Sequence, residues 1–403
     1  MRTPWRLVPR HLRAHWLRTA LTAAAMIVAT FLLCFLVSIV TALDAAVVQS
    51  SATRLITQSA VSLFVELPRD YQPKIEAVPG VGDVSKFQWF GGYYKSFEEG
   101  FFAQFGVDPV LFEMYVNDMA IVEGPGGTTG PAAREAALAQ MAAERRGCLI
   151  GQGLARDYGW KVGDTVPITG VVFQKLDGSA WDFVVAGIYE PLKANVDDRT
   201  LFFNWSYLGE SIDNGVATGG DGVGVFSIAV EPGYDPEQVI AQIDGLFANG
   251  PQVTWTSTEA AFQQIFVAML GNIPFFVGTI GSAVVFAVLF SVVNTMIMAG
   301  RQRASEAGIL KALGFRDGAL ARLMLAESMM LSVFGGGLGV ALAVVTEEPM
   351  RQAFGANFPN YAVAPVTIVL GLAISAGIGI LAGIAPAVMI TRLKPTEALR
   401  SEG

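Results

Sequence analysis

Four stretches of the chain are almost free of charge, and they constrain its fold more than any other feature. No Asp, Glu, Lys or Arg occurs from Thr19 to Leu43, from Ala260 to Gly300 or from Gln352 to Thr391, and Leu323–Thr346 carries only Glu327. About 20 mainly apolar residues let a helix cross ~30 Å of hydrocarbon. Four transmembrane helices are therefore predicted, at 19–43, within 259–300, at 321–346 and at 365–391. The runs are continuous rather than alternating, which excludes an outer-membrane β-barrel. With 15% charged residues overall, a soluble protein is excluded as well. The second run is longer than a membrane requires: as helix it would extend about 60 Å at 1.5 Å per residue. Phe262, Ile265, Phe266 and Met269 make an apolar stripe ahead of it, and Val47, Val48, Ser51, Leu55 and Ile56 prolong the helical period of the first run. The first two helices are expected to leave the membrane as a paired stalk, the first continuing to about residue 58. Pro274 is a candidate kink, since its ring removes a backbone donor.

Charge orients these helices. Asp44–Ile265 holds 13 Lys/Arg against 28 Asp/Glu. Arg2, Arg6, Arg10, Arg13 and Arg18 accompany no acid, and Arg301–Arg322 has five bases against Glu306 and Asp317. Short basic segments stay in the cytoplasm, so both termini are expected there, in an inner (cytoplasmic) membrane. The acidic segment then lies outside, and nucleic acid is not an expected partner. Residues 1–18 interleave Trp5, Leu7, Val8, Leu12 and Trp16 with Arg and His, which reads as an amphipathic helix at the inner lipid interface. The apolar run after it exceeds the length of a signal-peptide core, so an uncleaved anchor is expected.

Between the first two spans, residues 59–258 read as an α/β domain. Strands are expected at 61–67, 101–107, 120–123, 166–168, 182–189 and 224–230, and helices at 73–78, 132–146, 154–158 and 235–247. An inserted subdomain is expected at about 110–190. The predicted fold class is thus a four-helix membrane domain with a large periplasmic α/β domain between helices 1 and 2. Residues 347–364 form a short periplasmic loop and 392–403 a cytoplasmic tail. Cys34 lies in a span and Cys148 outside it, so no disulfide is expected.

Catalytic chemistry is largely missing. No G-x-x-x-x-G-K-[ST] or H-E-x-x-H pattern occurs, and both histidines, His11 and His15, lie in the basic N-terminal arm. Without an external His, no Ser/His or Cys/His nucleophile can be assembled there, and no metal or cofactor site is expected. Adjacent acids such as Glu98–Glu99 or Asp197–Asp198 read as solvated surface. Glu327, the acid inside the third span, is expected to pair with Arg322 or Arg301 rather than relay protons.

The informative segment follows the second span, at 301–320. Glu306-Ala307-Gly308-Ile309-Leu310-Lys311-Ala312-Leu313-Gly314 reads as a short amphipathic helix ended by a left-handed glycine. Ile309, Leu310 and Leu313 form a ridge with Lys311 beside it, and Arg301 and Arg303 precede it. An exposed apolar ridge calls for a groove or a lipid surface.

These residues resemble the E-I-G-x-L-[RK]-A-L-G helix of the FtsX/MacB-type (type VII) ABC permeases, with Ala307 where that family commonly has Ile. Asn294–Met296, the Glu327–Leu331–Ser332–Gly335–Gly336–Gly339 pattern, Pro386–Ala387 and Lys394–Arg400 match further signatures, as does Gly151–Val166 in the outer domain. The resemblance implies a non-catalytic permease subunit whose helix docks on a separate cytoplasmic ABC ATPase that binds the ATP. A second permease copy completes the unit, and a periplasmic adaptor is a candidate further partner. It implies that ATP-driven motion is transmitted to the outer domain to export or extract a lipophilic, peptide or lipoprotein cargo. The alternative is a membrane-anchored periplasmic sensor or scaffold for a cell-envelope partner. Trp89, Phe90, Tyr93, Tyr94 and Phe97, within an aromatic-rich stretch, are either outer-domain core or a cargo or partner patch.

Overall fold

A computed structural model describes residues 16–98, 100–193, 195–220, 222–269, 273–354 and 361–393. The chain divides into two compact units, one formed by the residues up to Ala42 and from Asn272 onward, the other by Leu43–Gly271. The expected helix at 1–18 and the Lys394–Arg400 signature lie outside the described residues, apart from Trp16–Arg18.

In chain order, α1 (Trp16–Gln49) leads to β1 (Arg54–Ser59), β2 (Leu67–Pro68), α2 (Tyr71–Glu76), β3 (Val81–Trp89), β4 (Gly92–Tyr93) and β5 (Ala103–Val107). Then follow α3 (Leu111–Met114), β6 (Met119–Gly124), β7 (Thr128–Thr129), α4 (Pro131–Ala143), β8 (Gly147–Gly151), α5 (Gln152–Tyr158) and β9 (Thr165–Gly170). The unit closes with β10 (Trp181–Pro191), β11 (Thr200–Asn204), α6 (Trp205–Asp213), β12 (Gly222–Val223), β13 (Val225–Val230), α7 (Pro236–Phe247), β14 (Thr254–Thr258) and α8 (Glu259–Met269). The second part of the membrane unit comprises α9 (Ile273–Gln302), α10 (Ala304–Ala312), α11 (Asp317–Val345), α12 (Glu347–Phe354) and α13 (Pro365–Arg392).

Helices α1, α9, α11 and α13 are long and apolar enough to cross a membrane. Small residues set their packing, because without a hydrophobic drive between helices in lipid, close backbone approach provides the contact. A Cβ on Gly339 would come within 2.6 Å of the Ile27 carbonyl oxygen, and one on Gly335 within 2.7 Å of Met26 Cβ. Gly379 and Gly383 face Met329, Ser328 and Leu325 in the same way. Thr30 and Ser375 hydroxyls, 3.1 Å apart, add a polar tie between α1 and α13. These glycines therefore serve packing inside one chain.

The α/β unit is built on one mixed sheet of order β14-β1-β13-β3-β5-β11-β8-β10-β6-β7, with β9 pairing both β10 and β4. Most neighbours are antiparallel; β8–β10 and β5–β11 are parallel. Two groups of core residues divide it. A base lobe packs Leu55, Tyr71, Ile75, Phe226, Ile228, Val239 and Phe247 under α2 and α7. A second lobe is filled by Phe90, Ile150, Trp181, Phe183 and Phe203 on one side of the sheet, and by Leu111, Phe112, Ala137, Met141, Tyr189 and Phe202 on the other.

Two expectations fail at the start of the α/β unit. Helix α1 stops at Gln49 instead of about 58, and the strand placed at 61–67 lies instead at Arg54–Ser59. Hydroxyls cause both changes. Ser51 Oγ accepts from the Thr53 and Arg54 amides at 3.1 and 3.2 Å, turning the chain out of the helix, which is the competition Ser offers to helical bonding. β1 then finds ladder partners on both edges, β13 and β14. The following segment is held as turns by Ser59 Oγ on the Val61 amide and Ser62 Oγ on the Phe64 amide. The loop expected at 347–364 begins with α12. Glu259–Met269 and Ile273–Gln302 are helical as expected, while residues 270–272 between them are not described.

Candidate functional site

The site with the most specific sequence signal is α10, between the second and third spans. Its C-terminus is a full Schellman closure: the Phe315 amide donates to the Leu310 carbonyl at 3.1 Å and the Gly314 amide to the Lys311 carbonyl at 3.0 Å. Gly314 supplies the positive φ, +90°, that this closure demands. Leu310 and Ala307 turn inward, onto Leu320, Leu323, Met324, Ala387 and Ile390. Ile309 and Leu313, four residues apart, remain 48% and 61% exposed, with Glu306, Ala312 and Gly314 also at the surface. The outward ridge is thus Ile309–Leu313, not the three-residue ridge that includes Leu310.

Polar bonds fasten this helix to its neighbours at both ends. Arg303, just before α10, is buried and pairs with the buried Glu327 of α11. This corrects the expected partners: the Glu327 carboxylate meets neither Arg322 nor Arg301 but Arg303, whose side chain points inward. Arg301 is exposed. Beside it, Arg18 of α1 donates to Gln302 Oε1 at 2.7 Å. At the far end the side chain of Lys311 is largely covered too. Its Nζ donates to the Thr391 and Leu393 carbonyl oxygens, 3.1 and 2.9 Å away at the end of α13, and pairs with Asp317 at 2.8 Å. A cation at a helix C-terminus meets unsatisfied carbonyls and the negative end of the dipole. Lys311 therefore fastens α10 to the ends of α11 and α13 instead of lining its outer face. Sequence spacing could not show this, because the α13 carbonyls lie 80 and 82 residues away.

A second apolar feature is an open groove of about 410 Å³ lined by Leu33, Val37, Gly281, Val285, Phe286 and Ile374. Helix α9 is the least buried of the four spans, and Phe275, Phe276, Phe286 and Phe290 stand at least 60% exposed along it.

The aromatic stretch in the α/β unit splits. Phe90 is fully buried, edge-on to Trp181, Phe183 and Phe203. Tyr94 packs edge-on against Tyr158 and Trp160. Trp89 and Phe97 are exposed, and Phe97 joins Tyr93 and Phe101 at 6.1 and 5.3 Å between ring centres. Only part of the stretch can meet a partner, and Phe101 belongs with it. No group of three or more metal-ligating side chains occurs among the described residues.

Four long apolar helices, a mixed α/β domain inserted after the first, and a capped helix before the third define a multi-pass membrane protein of the permease class. Comparison with known families agrees. The MacB-like periplasmic core domain matches residues 19–246, over half of the chain, and the FtsX-like permease C-terminal region matches 275–395. The chain belongs to the MacB/FtsX family of ABC transporter permeases. An uncharacterized ABC transporter permease of Methanocaldococcus jannaschii is 28% identical over 64% of this chain and 63% of its own length. The macrolide export ATP-binding/permease protein MacB of Shewanella oneidensis is 37% identical over 28% of this chain and 17% of its own. The chain thus spans less than two thirds of either relative. The periplasmic region of MacB from Actinobacillus actinomycetemcomitans superposes over 53% of this chain and 92% of its own, with 8% identity and a TM-score of 0.38.

Proposed function

We propose that this chain is the permease subunit of an ABC transporter that receives motion from a separate cytoplasmic ATPase through α10 and passes it to its periplasmic domain. The observation that carries the reading is the Ile309–Leu313 ridge, left bare on a helix fastened at both ends. Apolar surface held rigidly in that way fits a groove on another protein better than it fits lipid, because docking then costs little ordering entropy. In this reading both termini are cytoplasmic, the chain itself binds no ATP or other cofactor, and its own side chains perform no catalysis. The length of α1, 34 residues or about 51 Å at 1.5 Å per residue, exceeds the hydrocarbon thickness and suits a stalk.

A second permease copy is the partner for α9, whose aromatic face is the least covered among the spans. Lipophilic, peptide or lipoprotein cargo is expected to be exported or extracted on the periplasmic side. The exposed set Trp89, Tyr93, Phe97 and Phe101 is the candidate contact for cargo or for an adaptor.

The experiment is co-expression and co-purification with candidate cytoplasmic ABC ATPases of the same organism. Ile309→Asp with Leu313→Asp should abolish the complex and the permease-dependent ATP turnover while leaving the fold intact, as these side chains face outward. Unchanged binding and turnover would reject the docking assignment. A sensor or scaffold would instead keep its full activity with no ATPase present.

A further inference from the structure

Beyond α10, a buried cluster of charge lies where the chain enters and leaves the α/β unit. Arg54 opens β1, with four residues between it and the end of α1, and Glu259 opens α8 directly after β14. The two strands are ladder neighbours, with Leu55 opposite Thr258. Arg54 Nε and Nη2 donate to Glu259 Oε2 at 3.0 and 2.7 Å, and the Ser51 amide donates to the same oxygen at 2.9 Å. So far these are contacts within the base lobe.

Arg54 reaches equally into the second lobe. Its Nη2 pairs with the buried Asp118 in the turn before β6, and its Nη1 donates to the Met114 carbonyl at 3.2 Å. The guanidinium lies 3.9 Å from the centre of the Tyr115 ring, whose hydroxyl donates to Glu259 Oε1 at 2.9 Å. Lys193 and Asn195, from the β10–β11 connection, close the cluster on Asp118. Two cations and two carboxylates balance, and within this cluster the contacts that cross between lobes pass through Arg54, Tyr115 or Asn195. The sheet joins the lobes by a short ladder alone, Phe87–Trp89 of β3 against Phe105–Val107 of β5. Lys86 on Asp108 and Arg69 on Asp213 brace the lobes further, and the Arg54 cluster is the attachment that sits at the chain crossings themselves, which is where a lever would be driven.

We propose that Arg54 is a positioning residue that makes the second lobe follow the two chain crossings, so that movement entering at α1 and α8 becomes movement of the lobe carrying the exposed aromatic set. Only a guanidinium fits, since its planar fork can engage two carboxylates and a carbonyl together while stacking on a ring. The ATP-driven half of this statement rests on the transport reading above; the rigid inter-lobe joint does not.

The test uses the full chain in lipid nanodiscs with spin labels at Leu246 on the base lobe and Leu176 on the second lobe, both exposed. Buried Cys34 and Cys148 are first replaced by Ala. The parent should give a narrow inter-lobe distance distribution that shifts when the ATPase is trapped with ATP and vanadate. Arg54→Lys should broaden that distribution at least twofold and remove the shift, with ATP turnover kept within twofold. The triple variant Arg54→Met/Asp118→Asn/Glu259→Gln removes the charges together, guards against misfolding from a stranded carboxylate, and should broaden it as well. Narrow distributions in both variants overturn the joint. A parent that never shifts with nucleotide, yet broadens on Arg54→Lys, leaves the joint standing and refutes the transport reading instead. A fall in melting temperature without broadening assigns Arg54 to stability alone and overturns the proposal.

Discussion

Arg303 and Glu327 show what one residue pair can decide. Both are buried, and removing one partner of a buried pair costs about 3–5 kcal/mol because the other charge is stranded. Arg303→Met should therefore lower the melting temperature of the purified protein sharply, and Arg303→Met/Glu327→Leu should recover most of the loss. Equal melting temperatures for the single variant and the parent would contradict the pair. Two carboxyls of the α/β unit predict its pH response. Burial pushes Asp197 up to about 6, above an unfolded value near 3.9. The folded state then binds the proton more tightly, so this group adds stability as pH falls from 6 towards 4 and costs stability above 6. Asp197→Asn should raise stability at pH 7.5 by on the order of 2 kcal/mol and change it little at pH 4, read as melting temperature against pH. Asp118 has the opposite sign. Burial would raise it, but Lys193 and Arg54 outweigh that and hold its carboxyl below the usual range. Its contribution is present above about pH 4 and is lost on further acidification through its lowered value.

Among the elements, α10 depends on its closing glycine. Gly314 at φ +90° cannot take a side chain without strain, so Gly314→Ala should cost about 1 kcal/mol and weaken ATPase coupling more than it weakens overall stability. Comparing turnover with melting temperature checks this. The spans depend on glycines for closeness instead. Gly339→Val would place methyl groups against the Ile27 carbonyl, the Thr30 Cβ and the Phe31 amide of α1, and overpacking of this kind costs about 1–3 kcal/mol or more. Loss of monodisperse protein in detergent, with Gly337→Val tolerated because nothing lies near Gly337, is the expected pattern. The same elements show which local signals could be read in advance. Helix α7 has Asp235 as its cap, accepting from the Glu237 amide at 3.1 Å, with Pro236 at its first position, and it was legible to within a residue. Strands β8 and β11 were not. Gly147–Gly151 and Thr200–Asn204 are fully buried, so they lack the alternation that marks a half-exposed strand.

The whole molecule consists of two compact units, and the α/β unit has its own cores and sheet. Expressed alone, residues 50–265 should therefore fold and melt cooperatively; a fragment without a sigmoidal transition in circular dichroism would refute this independence. The four spans, the acidic domain between the first two and the short helix before the third span were all readable from the sequence, because each rests on local physics. A charge-free run either matches the thickness of hydrocarbon or does not, and an amphipathic helix before a glycine carries its own cap.

Tertiary structure alone decided the rest. Arg54 reads in sequence as part of a continuing helix, yet it begins a strand because β13 and β14 lie on either side to receive it. Lys311 reads as a surface cation, yet its side chain is largely covered, because the carbonyls at the end of α13 lie within its reach. Phe90 and Phe97 are the same residue type seven positions apart, one sealed in the core and the other on the surface. In each case the outcome turns on groups brought together from distant parts of the chain, and the energy of those contacts is absent from any local stretch.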